Sequence, residues 1–166
     1  MIPACFSPAT PADLPRLHRA MVDFYSHEGL SLDAGVITAL ETLLATPSYG
    51  QVYVIEPLAP AWDGSPPVPS SPAQPQAQPV GYLVLTYGYS LEFQGRTALL
   101  DELYLPPAHR GQGLGTQALE FVIQTCCDQG IHLLFLEARP ENIKAQALYE
   151  RLGFRKNDRD IMLRRL

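Results

Sequence analysis

The chain has 166 residues, of which 46% are hydrophobic and 17% charged, and it carries a net charge of −5. That length suits one domain with a proper core, and the acidic balance argues against a nucleic-acid partner, which needs clustered Lys and Arg. No apolar run approaches the ~20 residues of a membrane span, and the N-terminus lacks a basic region followed by an apolar one. Cys5, Cys126 and Cys127 fit neither a disulfide framework nor a metal site, so a reducing, cytoplasmic setting and no metal are expected.

In chain order, Ile2–Ser7 reads as a short strand. Thr10 or Asp13 caps a helix whose apolar positions are Leu14, Leu17, Met21, Val22 and Tyr25. A second helix follows Asp33, with Val36, Leu40, Leu43 and Leu44 on one face, and Gly50–Glu56 is a β-branched and aromatic strand. Pro57–Pro79 holds eight prolines in 23 residues, too many for a ladder or a helix, and is expected to be a loop insertion of partly polyproline character anchored by Trp62. Strands are predicted over Val80–Tyr89 and Phe93–Leu105, with a turn near Ser90–Gly95. Leu114, Ala118, Leu119, Val122, Ile123 and Cys126 mark a helix ending at Gly130, and Leu133–Glu137 is an apolar strand. Ile143, Ala147, Leu148 and Leu152 form a stripe on the last helix, and Phe154–Lys156 with Ile161–Leu166 would make a terminal hairpin. The order β-α-α-β-β-β-α-β-α-β-β, without internal repeat, describes a single α/β (α+β) domain over 1–166, a mixed sheet with helices on both faces.

The stretch Leu99 to Thr116 concentrates the chemistry. An apolar strand carries two adjacent carboxylates, Asp101 and Glu102; Pro106 and Pro107 stop it; and the loop Arg110-Gly111-Gln112-Gly113-Leu114-Gly115-Thr116 opens a helix. Glycine at every second position lets backbone N–H groups converge, and the helix start adds further donors and a positive dipole end, a place for phosphate. A Walker A loop fails because no lysine precedes Thr116, and G-x-G-x-x-G fails because Thr116 stands at the third glycine. Strict alternation puts Leu99, Asp101, Leu103 and Leu105 on one face and Leu100, Glu102 and Tyr104 on the other; a bulge would bring Glu102 round. Asn142 and Tyr149, seven residues apart, share a helix face distinct from the Ile143–Ala147 stripe.

Arg110, Gly113 and Gly115 fit Gln/Arg-x-x-Gly-x-Gly/Ala, and Asn142, Leu148-Tyr149 and Gly153-Phe154 stand in register with a second pattern. With these motifs and this order of elements, the chain resembles the GNAT superfamily of acyl-CoA N-acyltransferases along nearly its whole length, the proline-rich insertion being the departure. The resemblance implies a central, mostly antiparallel sheet and acetyl-coenzyme A as co-substrate. It implies that Arg110, Gly111, Gln112, Gly113, Leu114, Gly115 and Thr116 hold the pyrophosphate. Leu103, Tyr104 and Leu105 would offer strand backbone to the pantetheine arm, and Asn142 and Tyr149 would contact the cofactor from the last helix. It further implies Tyr149 as the acid, a carboxylate base (Asp101 first, Glu102 second), and acceptor contacts at Tyr25, His27 and Glu28. The expected partner is a small-molecule or peptide amine, with a second copy of the chain left open. A non-catalytic coenzyme A binding module is the alternative.

Overall fold

The computed structural model describes residues 3–57 and 81–164; the proline-rich insertion beyond Pro57, with Trp62, lies outside the described residues. The elements are β1 (Ala4–Pro8), α1 (Leu14–Glu28), α2 (Ala34–Ala45), β2 (Gly50–Pro57), β3 (Gly81–Ser90), β4 (Gly95–Tyr104), α3 (Leu114–Asp128), β5 (Leu133–Leu136) and α4 (Ile143–Arg151). Single 3-10 turns at Pro11–Asp13 and Pro107–His109 precede α1 and α3. The strands form one sheet in the order β1-β2-β3-β4-β5. The first four are antiparallel neighbours, and β5 runs parallel to β4.

The caps explain where the helices begin. The Asp13 carboxylate accepts the backbone N–H and the hydroxyl of Thr10, each at 2.9 Å, so both cap candidates act together in one turn. Asp33 accepts the Val36 N–H at 3.1 Å to start α2, and Asn142 accepts the Ala145 N–H at 3.2 Å to start α4.

Alternation in β2 sends Val52 and Val54 to one face and Tyr53 and Ile55 to the other, building two cores. On the first face Leu17, Ala20 and Met21 of α1 and Leu40 of α2 pack on Val52, Val54, Tyr82, Val84 and Tyr104. On the second, Ala118, Leu119, Val122 and Cys126 of α3 pack on Tyr53, Ile55, Leu83, Leu85, Ala98 and Leu100, with Leu148, Tyr149 and Leu152 of α4 at the edge. Leu83 and Leu119 have no exposed surface, and full burial of such a side chain stabilises the fold by about 1.5–3 kcal/mol.

Three sequence expectations are corrected. The terminal hairpin does not form: residues 155–164 carry no strand, and Ile161, Met162 and Leu163 are exposed. The polar run Arg155–Asp160 leaves a first arm there with little beyond Phe154 to bury, and the tail is instead held by Arg159, whose guanidinium makes two 2.8 Å contacts to Glu92. On α4 the buried side is Ala145, Leu148, Tyr149 and Leu152, while Ile143 and Ala147 face solvent. The spacing i, i+3, i+4, i+7 is equally helical, and it puts Tyr149 on the packed face. On α1, Val22 is exposed and Phe24 packs against the first core instead.

β5 pairs with β4 only from Thr97 to Leu100. Beyond Leu100, β4 continues to Tyr104 with no strand paired on that side among the described residues. The sheet therefore opens at Asp101.

Gly50 tests the close approach of α2 to the sheet. A Cβ there would press on the Leu85 carbonyl oxygen, with Leu43 Cδ1 and Thr86 Cα each 3.0 Å away. Gly50→Ala should destabilise the protein by about 1–3 kcal/mol, read as a melting-temperature drop of about 2–12 °C; an unchanged melting temperature would mean that the α2–β2 corner adjusts freely.

Candidate active site

The opening of the sheet coincides with a bulge. Val84 pairs with Glu102 and Leu85 with Leu100, so Asp101 is an extra residue in β4. The bulge reverses the facing on one side of Asp101, which strict alternation does not anticipate. Leu99 pairs with Thr86, while Leu100 lies in the second core and Leu103 packs against it. Glu102 lies opposite Val84, and both carboxylates line a cavity against α1 and α2.

The two carboxylates differ in their partners. Glu102 Oε1 accepts the Tyr25 hydroxyl and Oε2 the Tyr82 hydroxyl, each at 2.7 Å. Burial raises the Glu102 pKa, the Tyr82 and Tyr25 hydrogen bonds pull it back, and the Asp101 charge adds to the rise. Asp101 has no hydrogen bond among the described residues; burial, and then the charge of Glu137 just after β5, raise its pKa. The phenols of Tyr25 and Tyr82 are pushed well above their usual range, chiefly by burial, with Glu102 adding to it, so both remain donors.

An aromatic wall fixes this arrangement. Phe24 lies edge-on to Tyr25 at 5.7 Å and to Tyr82 at 6.2 Å, and Tyr82 sits 5.9 Å from Tyr104. The Tyr104 hydroxyl donates to Asp23 at 3.4 Å. Tyr104 is 2% exposed, within the first core, so only its backbone is available on the side of the sheet opening.

The glycine loop follows. Arg110 donates from Nε to the Leu105 carbonyl at 2.8 Å, and its guanidinium lies 5.9 Å from the Tyr104 ring centre. Gln112 donates to the Ala108 carbonyl at 2.6 Å. Gly111 and Gly113 have φ of 74° and 87°, left-handed values that L side chains rarely adopt. Gly113 is the N-cap of α3 and has no side chain to cap it; the first helical bond runs from Gln117 N–H to Gly113 O at 3.2 Å. The first N–H groups of α3 are thus the orphan donors of a helix start. A Cβ on Gly111 would meet nothing within 4 Å, whereas one on Gly115 would sit 3.3 Å from Leu148 Cδ2. Space is thus clear at Gly111, and the loop's far end is packed on α4. Thr116 accepts the Arg151 guanidinium at 3.1 Å, a second tie between α3 and α4.

Tyr149 stands beside this packing, its ring 6.0 Å from Phe154. Burial, then the Glu28 charge, push its phenol pKa up, so it holds its proton at neutral pH. Glu28 is itself bridged to Arg139, which contacts the carboxylate at 2.8 Å and the Glu28 carbonyl at 2.6 Å. That clasp joins the end of α1 to the loop after β5, across the opening. Of the three acceptor candidates, Tyr25 reaches the carboxylates; Glu28 forms the clasp. The His27 ring lies 2.8 Å from the carbonyl of Asp23 in its own helix, and neither Glu28 nor His27 lines the cavity. The Asn142 side chain serves as the α4 cap and is exposed.

Tyr82, Arg139 and the α2 wall of the cavity did not stand out in the sequence. Tyr82 is twenty residues from Glu102, and only the β3–β4 register brings them together.

A sequence model of the acetyltransferase (GNAT) family matches residues 39–154, and the chain belongs to that family. Thialysine N-epsilon-acetyltransferase of Bos taurus is 35% identical over 85 residues, which are 51% of this chain and 49% of that protein. Ribosomal protein bS18-alanine N-acetyltransferase of Escherichia coli (strain K12) is 42% identical over 57 residues, 34% of this chain and 38% of that protein. The chain spans about half the length, or less, of these curated relatives. Among solved structures, an integron cassette protein from the mobile metagenome of Cole Harbour salt marsh matches with a TM-score of 0.76 and 31% identity, covering 97% of this chain and 90% of that one. The aminoglycoside N-acetyltransferase AAC(6')-Iy in complex with CoA shares the fold with a TM-score of 0.71 and 15% identity, covering 99% of this chain and 96% of that one. No helix among the described residues is long and apolar enough to cross a membrane.

Tyr82→Phe removes one donor to Glu102 and keeps the ring. The bond favours the charged carboxylate, so its loss should move the Glu102 pKa further up, read by NMR titration of the side chain. Stability near neutral pH should fall by about 1.5–3 kcal/mol, as expected for a hydrogen bond to a charged group. The difference should shrink at acid pH, where the carboxyl is protonated in both proteins. An equal loss at acid and neutral pH, by urea unfolding, would assign the effect to packing.

Proposed function

We propose that the protein transfers an acetyl group from acetyl-coenzyme A to a primary amine by direct attack in a ternary complex. The observation that carries the reading is the coincidence of three features at one point of β4: the end of β5 pairing at Leu100, the bulge at Asp101, and the carboxylate pair facing a cavity on the α1–α2 side. Family membership and the N-acetyltransferase names of the curated relatives support it.

The cofactor fits the residues present. A pyrophosphate needs converging N–H donors with open space above them, and the loop Arg110–Thr116 has left-handed Gly111 and Gly113, the uncapped start of α3 and clear space over Gly111. A pantetheine arm needs strand backbone without a neighbour, and β4 offers it from Asp101 onward, with Leu103 and Leu105 in the proposed pairing positions. Bound acetyl-coenzyme A supplies the activated acyl thioester.

This chain's own groups then have distinct tasks. Asp101, whose carboxylate has no hydrogen bond among the described residues and a raised pKa, takes the proton that the ammonium must lose before its nitrogen can attack. Glu102, with both oxygens bonded to tyrosines, is a fixed negative charge that orients the amine. The backbone N–H of Leu103 is the proposed donor to the acyl oxygen. Tyr149 keeps its proton at neutral pH and donates it at the departing thiolate.

Two measurements check these roles, with thiol release followed across a panel of amines. Tyr149→Phe should lower the turnover rate by about 10²–10⁴-fold, the usual worth of a general acid, with acetyl-coenzyme A affinity by calorimetry nearly unchanged. A Phe variant as fast as the parent under conditions limited by chemistry would make Tyr149 a packing residue. For Asp101, kcat/KM should climb with pH through a pKa above the ordinary carboxylate range, because only the ionised form accepts a proton. Asp101→Asn should abolish that limb and lower the rate by about 10²–10⁴-fold; persistence of the limb would assign the proton to water. Cofactor binding with no thiol release from any amine would favour a sensing module over an enzyme.

A further inference from the structure

The cavity that the two carboxylates enter has a volume of about 530 Å³, within the range of small-molecule sites. Its walls are mostly apolar, Met21 from α1, Val36, Ala39, Leu40 and Leu43 from α2 and Val84 from β3, with Thr86 of β3 adding a hydroxyl. The hydroxyls of the α2 wall are already engaged. Thr38 donates to the Ala34 carbonyl at 3.0 Å and Thr42 to the Thr38 carbonyl at 2.8 Å. The Tyr25 hydroxyl is given to Glu102. Tyr49, 60% exposed, lines the cavity as well. No Lys, Arg or His lines the cavity among the described residues, and its acidic lining consists of Asp101 and Glu102 on β4.

A ligand complementary to this cavity has one cation and an apolar remainder. A second ammonium on the stem would lie against Val36, Leu40 and Leu43 without a counter-charge, and desolvating an unpaired charge is strongly unfavourable. A carboxylate on the stem would find no cation and would be repelled by Asp101 and Glu102. Two carboxylates at one place also match a single ammonium better than a chain of them, since no further acidic side chain lines the walls among the described residues and the Asp33 carboxylate beside Gly35 is taken up in capping α2.

We propose that the acceptor is a primary monoamine on a single apolar stem, an alkyl or arylalkyl amine, with its ammonium at Asp101 and Glu102 and its stem along the inner side of α2. This rests on the acetyl-transfer reading and narrows its acceptor from amines in general to one chemical class. Diamines, polyamines, amino acids and peptide amines whose chain is polar fall outside it.

Binding separates the two readings, because it does not depend on turnover. Calorimetry on the full chain saturated with coenzyme A, which has no acyl group to give, would compare ethylamine, n-hexylamine, 1,6-diaminohexane and 6-aminohexanoate. Affinity should rise about four-fold per methylene from ethylamine toward hexylamine. The diamine and the amino acid should bind weaker than hexylamine by on the order of 100-fold. Thr42→Glu places a carboxylate on the exposed side of the α2 wall, where folding is undisturbed, as a thermal melt would verify. It should strengthen 1,6-diaminohexane binding relative to n-hexylamine. Equal affinities for hexylamine and diaminohexane, no gain with stem length, 6-aminohexanoate binding as tightly as hexylamine, or no diamine gain in Thr42→Glu would each overturn the proposal. Turnover then judges the other reading alone: hexylamine bound with the expected profile yet never acetylated sinks acetyl transfer and leaves the cavity assignment standing. Acetylation of diaminohexane in preference to hexylamine does the opposite.

Discussion

One inserted residue in β4 governs the geometry of the site. Without the bulge at Asp101, the β3–β4 ladder would run in single register to Tyr104, and Leu100 and Glu102 would share a face. That would put Glu102 among the apolar side chains of the second core, against α3, where nothing could pair it. With the bulge, Leu100 and Leu103 both reach the second core while Glu102 and Tyr104 reach the first. The same irregularity falls one residue after the last β4–β5 pair. The ladder thus changes its facing and loses its outer neighbour at the same place.

A carboxylate beneath two helices is costly, and the surrounding residues show how the cost is met. Taking such a charge out of water costs several kcal/mol. Two hydrogen bonds to a charged acceptor, at about 1.5–3 kcal/mol each, offset a penalty of that size. Tyr25 and Tyr82 supply them from different elements, one from α1 and one from β3, so Glu102 also fixes α1 to the sheet. Asp101 receives no such help. Burial, and then the charge of Glu137, raise its pKa, which is what the proposed role of proton acceptor requires.

Much of this was legible in the chain. The strand at Gly50–Glu56, the helix start after Asp33 and the helix that opens at the glycine loop each follow from a local rule, and the structure agrees with them. The features that escaped depend on distant partners. A bulge that brings Glu102 round was open from the sequence, but Leu99–Leu105 alone could not place it, because a bulge is a property of two strands and the register between them. The buried side of α4 was misplaced because 143/147 and 145/148/149/152 are both helical spacings, and only the position of α3 chooses between them. The terminal hairpin expected over Phe154–Lys156 and Ile161–Leu166 is not formed in the described residues, because the charged run between its arms has little to bury. The Arg139–Glu28 clasp joins residues 111 apart and leaves no pattern in the sequence.

The two cores give the proposed cofactor side and the proposed acceptor side separate faces of one small domain. The glycine loop, α3 and α4 belong to the second face; α1, α2 and the cavity belong to the first. Side chains from the two sets are kept apart by β3, which is buried from Gly81 to Leu85. They approach each other only where β4 lacks its outer neighbour, and there the clasp between Glu28 and Arg139 holds the α1 end to the β5 loop. The α2 wall lines the cavity and not the glycine loop, so in the proposed reaction changes in it can alter which amine is accepted without disturbing the loop over Gly111 and Gly113. Change at Asp101 has no such freedom, because it stands on the one strand that both sides share.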